Sequence, residues 1–192
     1  MKRLLLMAFV SLVFIACGRD KKPPPENKDA QVKSMTSAPV DEREKRTEEL
    51  KKAPQLTLEQ MRMLMPTELD SAKEKNYLAS TQFGYGLASV EYPKGKGRGL
   101  KVSLYDCAGE MGYPNYFENY WNHLNVTTQT DNDFMKTIDF QGGKAVETYK
   151  KDMDLTTLTF VIRNRLVIMV EGKNMTPEQV EAAAKKLHQK IA

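Results

Sequence analysis

The chain has 192 residues, of which 41% are hydrophobic and 28% charged, and its formal net charge at pH 7 is +4. This length permits one domain with a hydrophobic core and an additional arm. The small basic excess gives no support for nucleic-acid binding, which is typical of strongly basic chains. With two cysteines and two histidines, His123 and His188, that show no ligand spacing, we expect neither a metal nor a cofactor.

The N-terminal residues have the pattern of an export signal. The basic residues Lys2 and Arg3 precede an apolar run over residues 4–15, which is followed by Ala16 and Cys17. This run is shorter than the roughly 20 residues that a helical membrane span needs. A basic start, an apolar centre and a small residue before the cut are typical of a secretory signal peptide.

The small residue followed at once by Cys17 resembles the lipobox of bacterial lipoproteins, in which a peptidase cuts before the cysteine and the thiol is acylated. The family prefers Leu and then Ala or Ser where this chain has Phe14 and Ile15. The resemblance implies a signal peptide over residues 1–16, lipidation of Cys17 and an anchored protein of the bacterial cell envelope. An ordinary signal peptide with an incidental cysteine, or an uncleaved anchor, remains an alternative.

The residue after the cysteine is Gly18. In enteric bacteria Asp at that position retains lipoproteins in the inner membrane, so the resemblance favours the outer membrane. The outer leaflet of the inner membrane and the cell surface remain alternatives. If Cys17 is acylated, Cys107 has no intramolecular partner, and we expect its thiol to be buried rather than joined in an intermolecular disulfide.

Residues 17–55 are predicted to be the lipidated cysteine and a disordered linker. Residues 21–28 are rich in proline and charge, and residues 41–52 are almost wholly charged. Such a composition buries too little apolar surface to offset the entropy of ordering. A solvated helix over residues 41–52 is an alternative within this linker.

Residues 56–192 show the local signals of a globular domain. Thr57 and Gln60 form a capping box before a short helix, and Thr176, Pro177 and Gln179 begin a C-terminal helix. Apolar alternation predicts strands and hairpins between them, and an aromatic helix is predicted near the middle. The predicted strands cover residues 73–79, 82–92 and 100–107, the hairpins 134–150 and 155–171, and the aromatic helix 113–125.

These elements predict an α+β domain, with a mostly antiparallel sheet of about five or six strands packed with about three helices, after a disordered N-terminal tether. We expect the 155–171 hairpin to be central, because both of its faces are mostly apolar. The order of elements resembles the small α/β/α sandwiches of the PsbP and Mog1 type. That resemblance implies an accessory, non-enzymatic role.

Three groups of side chains are candidate sites. Cys107, His123 and Asp106 have the residue types of a nucleophile, a base and an orienting acid. We favour an inert Cys107 on the inward side of a strand, where a cysteine behaves as a small hydrophobe. The sequence therefore predicts no catalytic residue.

The other two groups are candidate ligand-binding surfaces. The basic loop with Lys94, Lys96 and Arg98 could meet an anionic lipid or polysaccharide, or it could be a soluble hairpin turn. A groove walled by Tyr116, Tyr120 and His123 could hold a hydrophobic ligand, a glycan or a peptide, unless these rings belong to the core.

The sequence predicts a membrane-anchored envelope lipoprotein with a small binding or accessory domain and no enzymatic activity. Its expected partners are the membrane, through the lipid on Cys17, and an envelope protein or polysaccharide, but not nucleic acid. Two alternatives remain open. One is a lipid-anchored envelope hydrolase using Asp106, Glu110 or His123, and the other is a basic module that binds lipid or polysaccharide.

Overall fold

The computed structural model describes residues 38–192, so the predicted signal peptide, Cys17 and residues 18–37 of the predicted linker lie outside the described residues. None of the helices described is long and apolar enough to cross a membrane. The α-helices of the described chain are α1 (Ala38–Lys52), α2 (Leu58–Leu64), α3 (Tyr113–Asn119) and α4 (Pro177–Ile191).

The strands alternate with short turns, and two 3-10 turns follow α3 and the eighth strand. The strands are β1 (Glu68–Leu69), β2 (Ala72–Lys73), β3 (Lys75–Ser80), β4 (Gly86–Gly95), β5 (Arg98–Asp106), β6 (Thr128–Gln129), β7 (Asp133–Phe140), β8 (Gly143–Lys150), β9 (Leu155–Ile162) and β10 (Leu166–Lys173). The 3-10 turns are Trp121–His123 and Lys151–Met153.

Eight strands form one antiparallel sheet in the order β3-β4-β5-β10-β9-β8-β7-β6, and β1 and β2 form a separate small hairpin. This architecture confirms the predicted α+β class. The main sheet has more strands than the five or six predicted, and α1 is an additional helix. Two-residue strands such as β6 are too short to show alternation in a sequence.

The hairpin of β9 and β10 lies at the centre of the sheet, as predicted. β10 pairs with β9 on one side and with β5 on the other, with Ile168 opposite both Phe160 and Leu104. Successive side chains of a strand point to opposite faces. Ile168 therefore packs in the core on one face, while its neighbour Val167 packs in the core on the other.

The first face of the sheet is covered by α2, α4 and the β1-β2 hairpin. The predicted capping box of α4 is present, with the Thr176 hydroxyl accepting from the Gln179 amide and the Gln179 side chain accepting from the Thr176 amide. The apolar stripe of α4 is buried against β9 and β10. Gly172 allows this approach, because a Cβ there would lie 2.3 Å from a methyl carbon of Val180.

The second face of the sheet is covered at one end only. There α1 and α3 enclose a smaller core containing Leu50, Cys107, Phe117 and Val167. Towards the β4-β5 hairpin, side chains of this face such as Lys101 are exposed. The second face is therefore half core and half surface, and we call the uncovered part the open half. It is formed by Ser89, Glu91, Lys101, Ser103, Thr157, Thr159, Met169 and Glu171, of which Ser103 and Thr159 are each only 5% exposed.

Helix α1 lies inside the segment predicted to be a disordered linker. Its Leu50 side chain is only 2% exposed, and the Leu50 carbonyl accepts a hydrogen bond of 2.9 Å from the Gly109 amide. The folded part of the chain therefore begins before residue 56, and the helix over residues 41–52 is docked rather than solvated. The prediction counted apolar residues. A count of apolar residues does not detect a helix that is held by one buried leucine and by polar contacts.

The predicted aromatic helix is shorter than expected. It ends at Asn119, because Tyr120 has φ −139° and ψ −65°, and a 3-10 turn follows over Trp121–His123. The predicted strand over residues 82–92 begins only at Gly86, after a turn in which the Gly84 amide donates to the Thr81 carbonyl. Both differences lie at element ends, which local patterns locate poorly.

Candidate functional site

The open half presents charged and uncharged polar side chains in alternate rows. In one row Glu91 of β4 lies opposite Lys101 of β5, which lies opposite Glu171 of β10. The Lys101 Nζ is 3.9 Å from a carboxylate oxygen of Glu171. This row therefore carries charges of alternating sign across the three strands.

The next row of the open half is uncharged. Ser89, Ser103, Met169 and Thr159 lie side by side across β4, β5, β10 and β9. Strand alternation places both rows on the same face, because the intervening residues, such as Val102, point into the core of the first face. Ser103 and Thr159 are buried, so the open half offers the Ser89 hydroxyl and the Met169 thioether beside paired charges. This mixture suits a partner with mixed polar chemistry.

A shallow groove of about 420 Å³ lies where the open half meets the β4-β5 hairpin. Its walls combine apolar and charged groups, so that a ligand there would contact both. The groove is lined by residues that include Glu91, Pro93, Lys101, Leu155, Glu171 and Lys173. Of these, only Glu91, Lys101 and Glu171 belong to the charged row described above.

The three predicted residues of the basic loop are not equally free. Lys94 forms an ion pair with Asp70, and the Arg98 guanidinium donates to the Gln179 side chain of α4 at 3.1 Å. Lys96 is exposed at the hairpin tip. The loop therefore presents less free positive charge than its sequence suggests, because two of its cations are held by partners on or next to the first face.

The structure places Tyr116 and Tyr120 in the core between α3 and the sheet. Burial raises the pKa of the Tyr120 hydroxyl to about 12 and also raises the pKa of Tyr116. The Tyr120 hydroxyl donates to the Lys144 carbonyl at 2.9 Å. His123 is half-buried in the 3-10 turn, with its Nε2 2.9 Å from the Glu118 carbonyl. The two tyrosines are thus core residues, and His123 follows a break in the helix.

Aromatic rings around α3 form one continuous cluster. Tyr116 is the centre, with ring centroids 5.4 Å from Phe117, 5.8 Å from Tyr120 and 6.0 Å from Trp121. Tyr113 lies beside Phe117 at 6.4 Å. Three of these four pairs are edge-to-face, which is a favoured arrangement of aromatic rings, and the Tyr116–Trp121 pair is tilted. We refer to these five residues as the aromatic cluster.

Helix α1 covers the aromatic cluster with cations. The Arg43 guanidinium carbon lies 4.3 Å from the centroid of Phe117, and that of Arg46 lies 5.8 Å from Tyr116. The Lys51 Nζ lies 5.0 Å from the centroid of Tyr113. Sequence reasoning missed these contacts. Their only signal was the placement of Arg43 and Arg46 one helical turn apart.

Cys107, Asp106 and His123 do not form a catalytic group in the described part of the chain. Burial raises the pKa of the Cys107 thiol to about 12, so that it is protonated at neutral pH. Asp106 is buried, and its carboxylate lies 2.9 Å from the Arg165 guanidinium. No hydrogen bond joins either residue to His123 among the described side chains.

Glu110 is held at the surface rather than beside a nucleophile. Its side chain is 72% exposed and lies 3.4 Å from the Lys51 Nζ. Across residues 38–192 no group of three His, Cys, Asp or Glu side chains has the arrangement of a metal site. The described residues thus offer surfaces for binding: the open half with its groove, and the aromatic cluster beneath α1.

Neither a protein family, nor a curated protein, nor a solved structure matches the chain. Function is therefore inferred from the surfaces of the chain itself. Two surfaces differ from the rest in their chemistry: one is a partly uncovered sheet face, and the other is an aromatic cluster with the arginines of a polar helix over its rings.

Proposed function

We propose that the protein is a lipid-anchored accessory protein of the bacterial cell envelope, and that its domain binds an envelope partner through the open half. One observation carries the binding role. The second face of the sheet is only half covered by helices, and its uncovered end carries a groove of about 420 Å³ with both charged and apolar walls.

The lipobox-like pattern before Cys17 supports the anchor. By resemblance, bacterial lipoproteins carry two or three acyl chains on this cysteine. Each buried methylene contributes about 0.8 kcal/mol, and two chains together hold a protein stably on a membrane. The domain would then meet partners that share the membrane or the space beside it.

The row of Glu91, Lys101 and Glu171 supports a protein as the partner. Charges of alternating sign reject surfaces whose charges do not match, so they contribute specificity more than affinity. Met169, in the next row, supplies an apolar contact at the centre of the open half. A polysaccharide is the competing partner, and the second experiment below distinguishes the two.

The anchor is tested by the intact mass of the protein from its native membrane, beside a Cys17→Ser variant. The expected mass lacks residues 1–16 and includes acyl groups, and the variant is expected in the soluble fraction. An unacylated mass, with both proteins soluble, would contradict lipidation and restore the alternative of an ordinary signal peptide.

The binding surface is tested by placing a photo-crosslinking amino acid at Thr157 or Lys101 in cells. Lys185, exposed on α4, serves as the matched control on the other side of the sheet. We expect one protein to crosslink from both open-half positions and not from Lys185. Equal crosslinking from all three positions argues against the open half, and retention on isolated envelope polysaccharide without any crosslinked protein favours the polysaccharide.

A further inference from the structure

The two ends of α1 are attached to the domain by different kinds of contact. At its C-terminal end Leu50 is buried, and its carbonyl accepts from the Gly109 amide. The connector that follows is held by the Leu56 amide, which donates to the Asp106 carboxylate at 2.6 Å, and by the Gln55 amide group, which donates to the Ala108 carbonyl at 3.2 Å. This end is therefore anchored by burial and by hydrogen bonds to the C-terminal end of β5 and the loop that follows it.

The preceding part of α1 has no buried side chain among those described from residue 41 to residue 49. The one hydrogen bond from these described side chains to the backbone of the rest of the domain is that of the Arg46 guanidinium to the Asn164 carbonyl, at 3.5 Å. Arg43 and Arg46 lie over rings of the aromatic cluster, and Arg43 also donates to the Asn122 side chain at 3.0 Å. Cation–π contacts at exposed sites are individually weak, and local opening begins where few apolar contacts are made.

The surface beneath this part of α1 is aromatic and would accept cations. Phe117 is buried, and the Arg43 guanidinium is one of the groups that cover it. Trp121 lines a small cleft together with Arg46 and Glu49 of α1. Ring faces carry partial negative charge and attract guanidinium and ammonium groups. Helix α1 has acidic and basic side chains in similar number, yet it is the arginines that lie over the rings.

We propose that residues 38–49 of α1 are a displaceable cover, and that the aromatic cluster beneath them is a binding site for a cationic peptide segment of a partner protein. The matching segment carries two basic side chains one helical turn apart, as Arg43 and Arg46 are in α1. This site is separate from the open half and does not depend on the lipid anchor. The cover and the partner exclude each other, because both place cations on the same rings.

The cover is tested in the full-length chain with Arg43→Gln/Arg46→Gln. The matched control is Lys52→Gln/Lys185→Gln, which removes the same charge at two exposed lysines that do not line the cleft beside Trp121. Trp121 is the only tryptophan of the chain, so its fluorescence reports on this contact. We expect the equilibrium constant for opening of the cover to be about tenfold larger in the arginine variant. Acrylamide should therefore quench Trp121 about two- to fivefold more efficiently in that variant, and the control should match the native chain. Equal quenching of Trp121 in all three proteins would overturn the proposal that residues 38–49 are a displaceable cover.

The binding site is tested with a labelled synthetic peptide of residues 38–52, titrated into the same full-length proteins and followed by fluorescence anisotropy. We expect it to bind the arginine variant about tenfold more tightly than the native chain, because less of that variant is covered. A peptide carrying the two Arg→Gln changes should bind neither protein. If the native peptide fails to bind a variant whose Trp121 is exposed, the site is wrong even though the cover opens. Both readouts are independent of acylation at Cys17, so they succeed or fail separately from the proposed anchor.

Discussion

The guanidinium of Arg165 lies 2.9 Å from a carboxylate oxygen of Asp106, whose side chain is fully buried. The same carboxylate accepts hydrogen bonds from the Leu56 amide at 2.6 Å and from the Ala108 amide at 3.3 Å. One side chain thereby joins the end of β5, the chain just before β10 and the connector between α1 and α2. A buried charge with several partners is costly to leave incomplete.

We expect Asp106→Ala to lower the free energy of unfolding by about 3–5 kcal/mol, because it leaves Arg165 and the Leu56 amide without their acceptor. Asp106→Asn should cost less, since its amide oxygen can still accept from Leu56. Urea denaturation measures both changes. Asp139→Ala is the control, because Asp139 pairs with Lys144 but its side chain is 87% exposed. A loss in the control as large as that of Asp106→Ala would contradict this explanation.

Cys107 is expected to be chemically inert in the folded protein. Its thiol is buried, and burial raises its pKa to about 12, so almost no thiolate is present at neutral pH. In a Cys17→Ser background, alkylation of Cys107 should be at least about a thousandfold slower than in urea, because it requires the core to open. Mass spectrometry of the alkylated protein measures the rate. Rapid labelling of the native protein would show that this part of the core is accessible.

Asp70 is expected to make stability depend on acid pH. Hydrogen bonds from Lys186 and then Lys94 lower the pKa of its carboxyl below the ordinary value of 3.8. The folded state thus favours the ionised form, so this contribution is present above the ordinary pKa and is lost as pH falls through the lowered pKa. At pH 7, Asp70→Asn should cost about 1–2 kcal/mol, and the difference from the native chain should shrink as the pH falls through the lowered pKa.

Thermal denaturation between about pH 2.5 and pH 7 measures the effect of Asp70→Asn, because this range includes the ordinary titration of carboxyl groups. The backbone is not disturbed by this change, because Asp70 has φ +48° and asparagine tolerates that conformation. Asp131→Asn, at an exposed position, is the control and should leave the pH profile unchanged. A cost that stays constant down to the lowest pH would exclude the ionised carboxylate as the cause.

Gly172 is expected to set the distance between β10 and α4. Because an added Cβ would lie 2.3 Å from a methyl carbon of Val180, Gly172→Ala should destabilise the fold by about 1–3 kcal/mol through overpacking. Adding Val180→Ala should recover part of this loss by removing the methyl group. Gly143→Ala is the control, since the Cβ there would have only an ordinary contact of 3.7 Å with the Phe140 carbonyl. Chemical denaturation compares the free energies of unfolding of the four proteins. Equal losses in Gly172→Ala and Gly143→Ala would refute the close approach of β10 and α4.

Elements with strong local signals were predicted well. The capping boxes at Thr57 and Thr176 are both formed, and the β9-β10 hairpin lies in the middle of the sheet. Caps are contacts between residues three apart, and strand alternation repeats every two residues. Such information is present in any short window of sequence, so it does not depend on how distant parts of the chain meet.

The sequence by itself determined the class of the domain, its caps and hairpins, and the lipobox-like start at Cys17, which remains a prediction. Only the tertiary structure decided that α1 docks on the aromatic cluster, that Tyr116 and Tyr120 are core residues, and that half of the second face is open. The physical reason is distance along the chain. Arg43 meets Phe117, and Asp106 meets Arg165, across separations that no local pattern records.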